Sequence, residues 1–276
     1  MITKRLWRAF SQPPMNKPLF ERVALNAAFS PALRSLWWNN LAIQGQVWLW
    51  SLVFILDVRA LPLMLLSGTF YGLLWAVGVS GTILHERSTG TYDLLCLTPE
   101  GTFGVNWTIC LGCLHQGDAF RHVNSQEAWT IRLMLMIPLI ITANLALNRL
   151  LTNSPVALVW MGVLVVLFYF DHVQSIIIGS LFGLMAPQTS TSGDTRLWAV
   201  AGLILGQVLS YGTFFGVVLL SPLLNLPPAL SPVIALAAFF GLRECIIYTQ
   251  IRSTRNLFNA SADEMRLALN PLPDVA

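Results

Sequence analysis

Two ionisable pairs stand where charge is expensive: Asp171-His172 interrupts the apolar run 156–185, and Arg243-Glu244 interrupts the run 229–251. At the centre of a bilayer an Asp or Arg costs about 2.5 to 3.5 kcal/mol on insertion scales, so such residues turn inward and find partners. Two chemistries follow. Either these side chains line a polar path for a substrate or for protons, or Asp171 and Arg243 form a structural ion pair. The pair is favoured, because both residues sit toward one membrane face, where a long side chain can reach water. His172 has a second use, as an imidazole ligand to a haem iron or a pigment.

Cys110-x-x-Cys113, with His115 and His122 following, offers four soft ligands. The spacing is not that of a zinc finger, and two cysteines on an apolar stretch read as small buried residues, so no metal is expected. Catalytic patterns are missing. His85-Glu86 lacks the second His of a His-Glu-x-x-His site, Gly78-Val79-Ser80-Gly81 is not a Gly-x-Ser-x-Gly elbow, and adjacent apolar runs carry no pair of catalytic carboxylates. No Gly-x-x-x-x-Gly-Lys-Ser/Thr loop occurs to cradle a nucleotide. The chain reads as a non-enzyme without a cofactor of its own.

The elements that must position these residues follow from composition. Of 276 residues, 55% are hydrophobic and 11% charged, against about 45–50% and about 25% in soluble domains. Such a chain cannot build a charged surface, whereas lipid accepts an apolar exterior if the backbone satisfies its own hydrogen bonds. The expected fold is therefore all-α: a polytopic membrane protein. Ten Trp suit the headgroup level, and a net charge of +3 is too small to indicate nucleic acid. The four Cys imply no disulfide framework.

A helix needs about 20 apolar residues to span the hydrocarbon. Six runs approach this: 36–56, 61–84, 131–150, 156–185, 197–224 and 229–251. With the N-terminus inside, fourteen of the sixteen Lys and Arg fall on the inner side and only Arg59 and Arg149 outside, which places both termini in the cytoplasm. No cleaved signal peptide is expected, because no continuous apolar stretch precedes Pro13. Residues 1–35 form a cytoplasmic segment. Within it Leu19, Phe20, Val23 and Ala27 recur at helical spacing, as in an amphipathic helix lying on the inner membrane surface. Residues 36–251 form the transmembrane domain and 252–276 a cytoplasmic tail. External loops are short, and the one substantial loop, 85–130, faces the cytoplasm. The apolar stretch 103–114 is too short to cross and is expected to skim the inner surface.

The loop opens with a legible pattern. Glu86 and Arg87 should stop the second span at water, Gly90 permits a turn, Thr91 can cap a short helix with Asp93 near its N-terminus, and Pro99 ends it. Tyr92, Leu94, Leu95 and Leu97 should then form an exposed apolar knob beside the membrane.

The run Glu86-Arg87, Gly90-Thr91, Leu94-Leu95, Thr98-Pro99 resembles the cytoplasmic loop after the second helix of type-2 permeases of ATP-binding-cassette exporters. Ser30-Pro31-Ala32-Leu33-Arg34 before the first span, and loosely Gly179-Ser180-Leu181-Phe182-Gly183-Leu184, share the likeness. In that family a six-helix permease is usual, an amphipathic helix precedes the first span, and this loop couples to a separate ATPase. The resemblance implies a permease subunit of an ATP-driven exporter in a bacterial inner membrane, working as a homo- or heterodimer of permeases, with ATP bound on a cytoplasmic ATPase subunit. Glu86, Arg87, Gly90, Thr91, Leu94, Leu95, Thr98 and Pro99 would be the coupling residues. Beyond Pro99 the loop continues through residues 101–130, where family members enter the third span quickly. That extension supports an alternative: a non-transporting scaffold subunit that binds other integral membrane subunits of a respiratory or photosynthetic complex, with His172 then available to a pigment or haem.

Overall fold

The computed structural model describes residues 1–25, 61–98, 100–116, 119–126, 129–130, 154–189, 194–261 and 263–265. All regular structure among them is helical: α1 (Ile2–Ser11), α2 (Pro18–Leu25), α3 (Leu61–Ser88), α4 (Thr91–Cys96), α5 (Gly101–His115), α6 (Ala119–Val123), α7 (Ser154–Thr189), α8 (Thr195–Leu220) and α9 (Ser231–Leu257). The expected first and third spans, 36–56 and 131–150, lie outside the described residues, as do Pro99 and residues 30–34.

Among the described residues three helices are long and apolar enough to cross a membrane: α7, α8 and α9, with mean hydropathy of 1.8, 1.9 and 1.5 over their best stretches. Their length and composition mark a membrane protein. At 36 residues α7 is about 54 Å long, well beyond the hydrocarbon thickness. Its two halves differ accordingly. From Asp171 to Pro187 nearly every side chain is buried, whereas Leu158, Val166 and Tyr169 in the first half are exposed.

The bundle is organised on α7, which packs against α3, α8 and α9. Its seam with α3 is the most extensive and the closest, because small residues recur every fourth position on both helices: Gly68, Gly72, Ala76 and Ser80 on α3, and Ser175, Gly179 and Gly183 on α7. A Cβ on Gly72 would stand 2.6 Å from the Ser175 carbonyl oxygen, and one on Gly183 would stand 2.8 Å from that of Ala76. A Cβ on Gly179 would overlap the Gly72 backbone outright. Van der Waals packing is a main source of helix association in lipid, and small residues permit this close backbone contact.

Three expectations change at the cytoplasmic side of the sequence reading. The stretch 103–114 does not skim a surface: within α5, Phe103 and Val105 to Leu114 are buried, covered by α2 and α3. Gly112 admits Val23, whose Cβ would lie 2.7 Å from an added Cβ. The apolar side chains Phe20 and Val23 of α2 are therefore covered by protein and not by lipid. The reason is mutual: α5 is apolar all round, and such a helix is stable only inside a core. Helix α3, where the second span was expected over 61–84, continues to Ser88.

Candidate functional site

Gly90 takes φ 74° at the end of α3, a left-handed turn that glycine adopts without steric cost. It reverses the chain into the six-residue α4. Thr91 does not cap this helix through its side chain. Its Oγ1 donates instead to Glu86 Oε2 at 2.7 Å, while Arg22 Nη2 of α2 donates to Glu86 Oε1 at 2.5 Å. Glu86 is 1% exposed, although His85 and Ser88 beside it are exposed. A buried carboxylate persists only when paired and hydrogen-bonded, and these two donors supply that.

Arg87 points to the other side. It donates to the Pro187 carbonyl oxygen near the end of α7, and its guanidinium lies over the Tyr92 ring, 4.8 Å from the centroid. Tyr92 is buried, contrary to the expected exposed knob. Its hydroxyl accepts from Asn106 Nδ2 at 2.6 Å, Gln188 Nε2 at 3.2 Å and Arg87 Nη2 at 3.5 Å. Leu95 is half-buried against the core. What α4 presents to solvent is Leu94, 70% exposed, together with Leu97, 83% exposed, flanked by Asp93 and Thr98.

The sequence pattern thus divides into two jobs. Glu86, Arg87, Gly90 and Thr91 bolt α4 to α2 and the end of α7 and Tyr92 ties it to α5, whereas Leu94 and Leu97 face outward. Arg22, Tyr92, Asn106 and Gln188 were missed as anchors. Arg22 read as the polar side of an interfacial helix, and nothing in the spacing of the other three brings them together.

The ionisable residues of α7 and α9 also divide. Asp171 and Arg243 form a buried pair, with Arg243 Nη2 2.6 Å from Asp171 Oδ1 and both side chains essentially inaccessible. Arg243 donates in addition to Gln207 Oε1 of α8, to Ser175 Oγ at 3.1 Å and to the Asp171 carbonyl at 3.2 Å. Gln207 Nε2 reaches Ser175 Oγ at 2.6 Å. The face of the guanidinium lies 4.5 Å from the Phe239 centroid. One arginine therefore ties α7, α8 and α9 together. Gln207 was legible in principle, since it interrupts an apolar run on α8, and Ser175 follows Asp171 by one turn.

Glu244 takes no part in this cluster: its Oε2 accepts from the backbone N–H of Ile2 at 3.1 Å. His172 is held by Asn124, its Nε2 donating to Oδ1 at 3.2 Å, with Tyr71 and Trp129 edge-on at centroid separations of 5.2 Å each. A metal ligated through that nitrogen would have to displace Asn124.

Cys110 and Cys113 are buried and His115 Nε2 donates to the Phe10 carbonyl oxygen at 2.7 Å. Among the described residues no group of three His, Cys, Asp or Glu is placed to hold a metal. Burial pushes the Cys113 thiol up to about 12 and raises that of Cys110 as well, the neighbouring Cys113 adding to it. A raised thiol pKa keeps the unreactive protonated form through neutral pH. Alkylation of the native protein at pH 8 should accordingly spare Cys110 and Cys113, and both should react after denaturation; peptide mass mapping reads the result, and ready native labelling of either would contradict it.

Compared with known protein families, curated proteins and solved structures, the chain matches none of them.

Proposed function

We propose that this chain is the membrane permease subunit of an ATP-driven exporter, energised by a separate cytoplasmic ATPase that docks on α4. The observation that carries this reading is the build of α4: Leu94 on this short helix and Leu97 just after it are exposed, while Glu86, Arg87 and Tyr92 connect it to α2, the end of α7 and α5. Two leucines in a partner's groove supply apolar contact, and a rigid mount passes any displacement of α4 into α3 and α7. Nucleotide chemistry resides on the partner. Two copies, or one copy and a similar permease, enclose the pathway, with residues 36–251 forming six spans in a bacterial inner membrane and both termini cytoplasmic.

Replacing Leu94 and Leu97 together by Asp tests the coupling. Both side chains are already exposed, so folding and insertion should be unaffected, while two carboxylates would have to be desolvated in the groove. Stoichiometric ATPase should co-purify with the native protein and be lost from the double variant. Unchanged co-purification would remove α4 as the coupling site.

The topology is tested independently. Single Cys probes at Asn153 and Asn225 should react with an impermeant thiol reagent from the periplasm, and probes at Gly101 and Ser261 should not; labelling of the Gly101 probe from outside would overturn the orientation.

One observation favours the scaffold reading: Asp171 and Arg243 close on each other and on Gln207 and Ser175, as a packing element would. Gentle purification from native membranes separates the two. A colourless preparation with a stoichiometric ATPase supports export, whereas redox-active or pigmented integral-membrane companions without an ATPase support the scaffold.

A further inference from the structure

Helix α1 lacks the means to hold itself together. At ten residues it is shorter than helices that are stable alone in water. Met1, at its N-cap, makes no side-chain cap, and no acidic residue stands in its first turn. Lys4 and Arg5 stand there instead, adding positive charge at the positive end of the helix dipole.

The missing cap comes from α9. Glu244 Oε2 accepts from the Ile2 backbone N–H at 3.1 Å, which sets a carboxylate at the start of α1. Beside it Thr3 Oγ1 accepts from Gln174 Nε2 of α7 at 3.4 Å. Farther along, Trp7 lies 5.2 Å from the Phe120 ring of α6 and Phe10 lies 5.6 Å from the Trp107 ring of α5, ring centre to ring centre. The Phe10 carbonyl oxygen also accepts from His115 at the end of α5. Thr3, Leu6, Ala9 and Phe10 are buried along this track. One short helix thus joins α7 and α9, at its first turn, to α5 and α6, at its last, and α5 in turn holds Tyr92 of α4 through Asn106.

We propose that α1 is a strap that clamps α5 and α6 to α7 and α9, latched at Glu244, and that its helix depends on the latch. Folding and docking of the strap are then one step. Without the carboxylate the first turn loses its cap, the helix frays from that end, and its grip on Phe120 and His115 weakens. The strap goes beyond the exporter reading and holds whatever docks on α4, so the Leu94/Leu97 variant does not bear on it.

Hydrogen–deuterium exchange read by mass spectrometry on the detergent-purified chain tests it. E244Q keeps the size of the side chain and removes its charge, so the amides of α1 should exchange about threefold faster. E244L removes the acceptor as well and should speed them about tenfold. Peptides from the end of α5 and from α6 should speed up with them, while those of α3 should not change. E21Q, which removes an exposed carboxylate from α2, should leave α1 at the native rate. Should E244L fail to fold, E244Q decides alone. Native-rate exchange of α1 in the Glu244 variants overturns the latch, and faster exchange of α1 with α5 and α6 unchanged overturns the strap. An effect of E21Q equal to that of E244Q would reduce the latch to general electrostatics and overturn it too.

Discussion

Replacing Arg243 by Met should cost about 3–5 kcal/mol and remove most of the folded protein from the membrane. The change leaves Asp171, Gln207 Oε1 and Ser175 facing one another in a site from which water is excluded. An isolated buried carboxylate has nothing to repay its desolvation, and three helices lose their common tie. D171L/R243M should recover most of that loss, because removing both charges together replaces an ion pair by apolar contact, which in buried sites is often close to neutral. Fluorescence-detected size-exclusion yield and thermal midpoint in detergent give the four corners of the cycle. An R243M protein as stable as the native one would show that the pair does not hold α7, α8 and α9 together. The folded double variant also separates roles: a structural tie predicts export retained, while a transport path through these residues predicts export lost with folding intact.

Gly179→Ala should be nearly as damaging, although it adds a single methyl group. Its Cβ would fall on the Gly72 backbone, and backbone on neither helix can step aside without parting the α3–α7 seam. Overpacking at a close backbone crossing costs about 1–3 kcal/mol and occasionally more, and Gly72→Ala, 2.6 Å from the Ser175 carbonyl oxygen, should behave alike. Gly162 and Gly241 supply the contrast, since a Cβ on either meets no described residue within 4 Å. Alanine there should leave stability unchanged or raise it by up to about 1 kcal/mol through helix propensity. Equal losses at Gly179 and Gly162 in thermal denaturation would mean that the seam does not depend on close approach.

The division between what could be read in advance and what could not follows the range of the forces. Composition and apolar run length determined the all-helical membrane class and the existence of α7, α8 and α9, because burying a polar backbone in lipid leaves a helix as the solution within one segment. The turn at Gly90 and the short helix after it were also legible, since left-handed geometry and six residues of local hydrogen bonding depend only on neighbours in sequence. The pairing of Asp171 with Arg243 was legible for a related reason: a charge at membrane depth demands a partner, and few are available.

Which side chains face out could not be read. Tyr92 and Leu94 are two residues apart on one apolar helix, yet the first is buried and the second exposed, because Asn106, Gln188 and Arg87 converge on the tyrosine hydroxyl from three other segments. Stretch 103–114 looked like a surface helix because it was too short to span. It became a core helix because α2 and α3 cover it. Helix α1 carried its basic residues in plain view, but only its packing against α7 and α9 showed which of its faces is buried. Sequence determined the class, the local turns and the need for charge partners through short-range and solvent terms. Tertiary structure alone decided burial, because it is a property of what other segments place alongside.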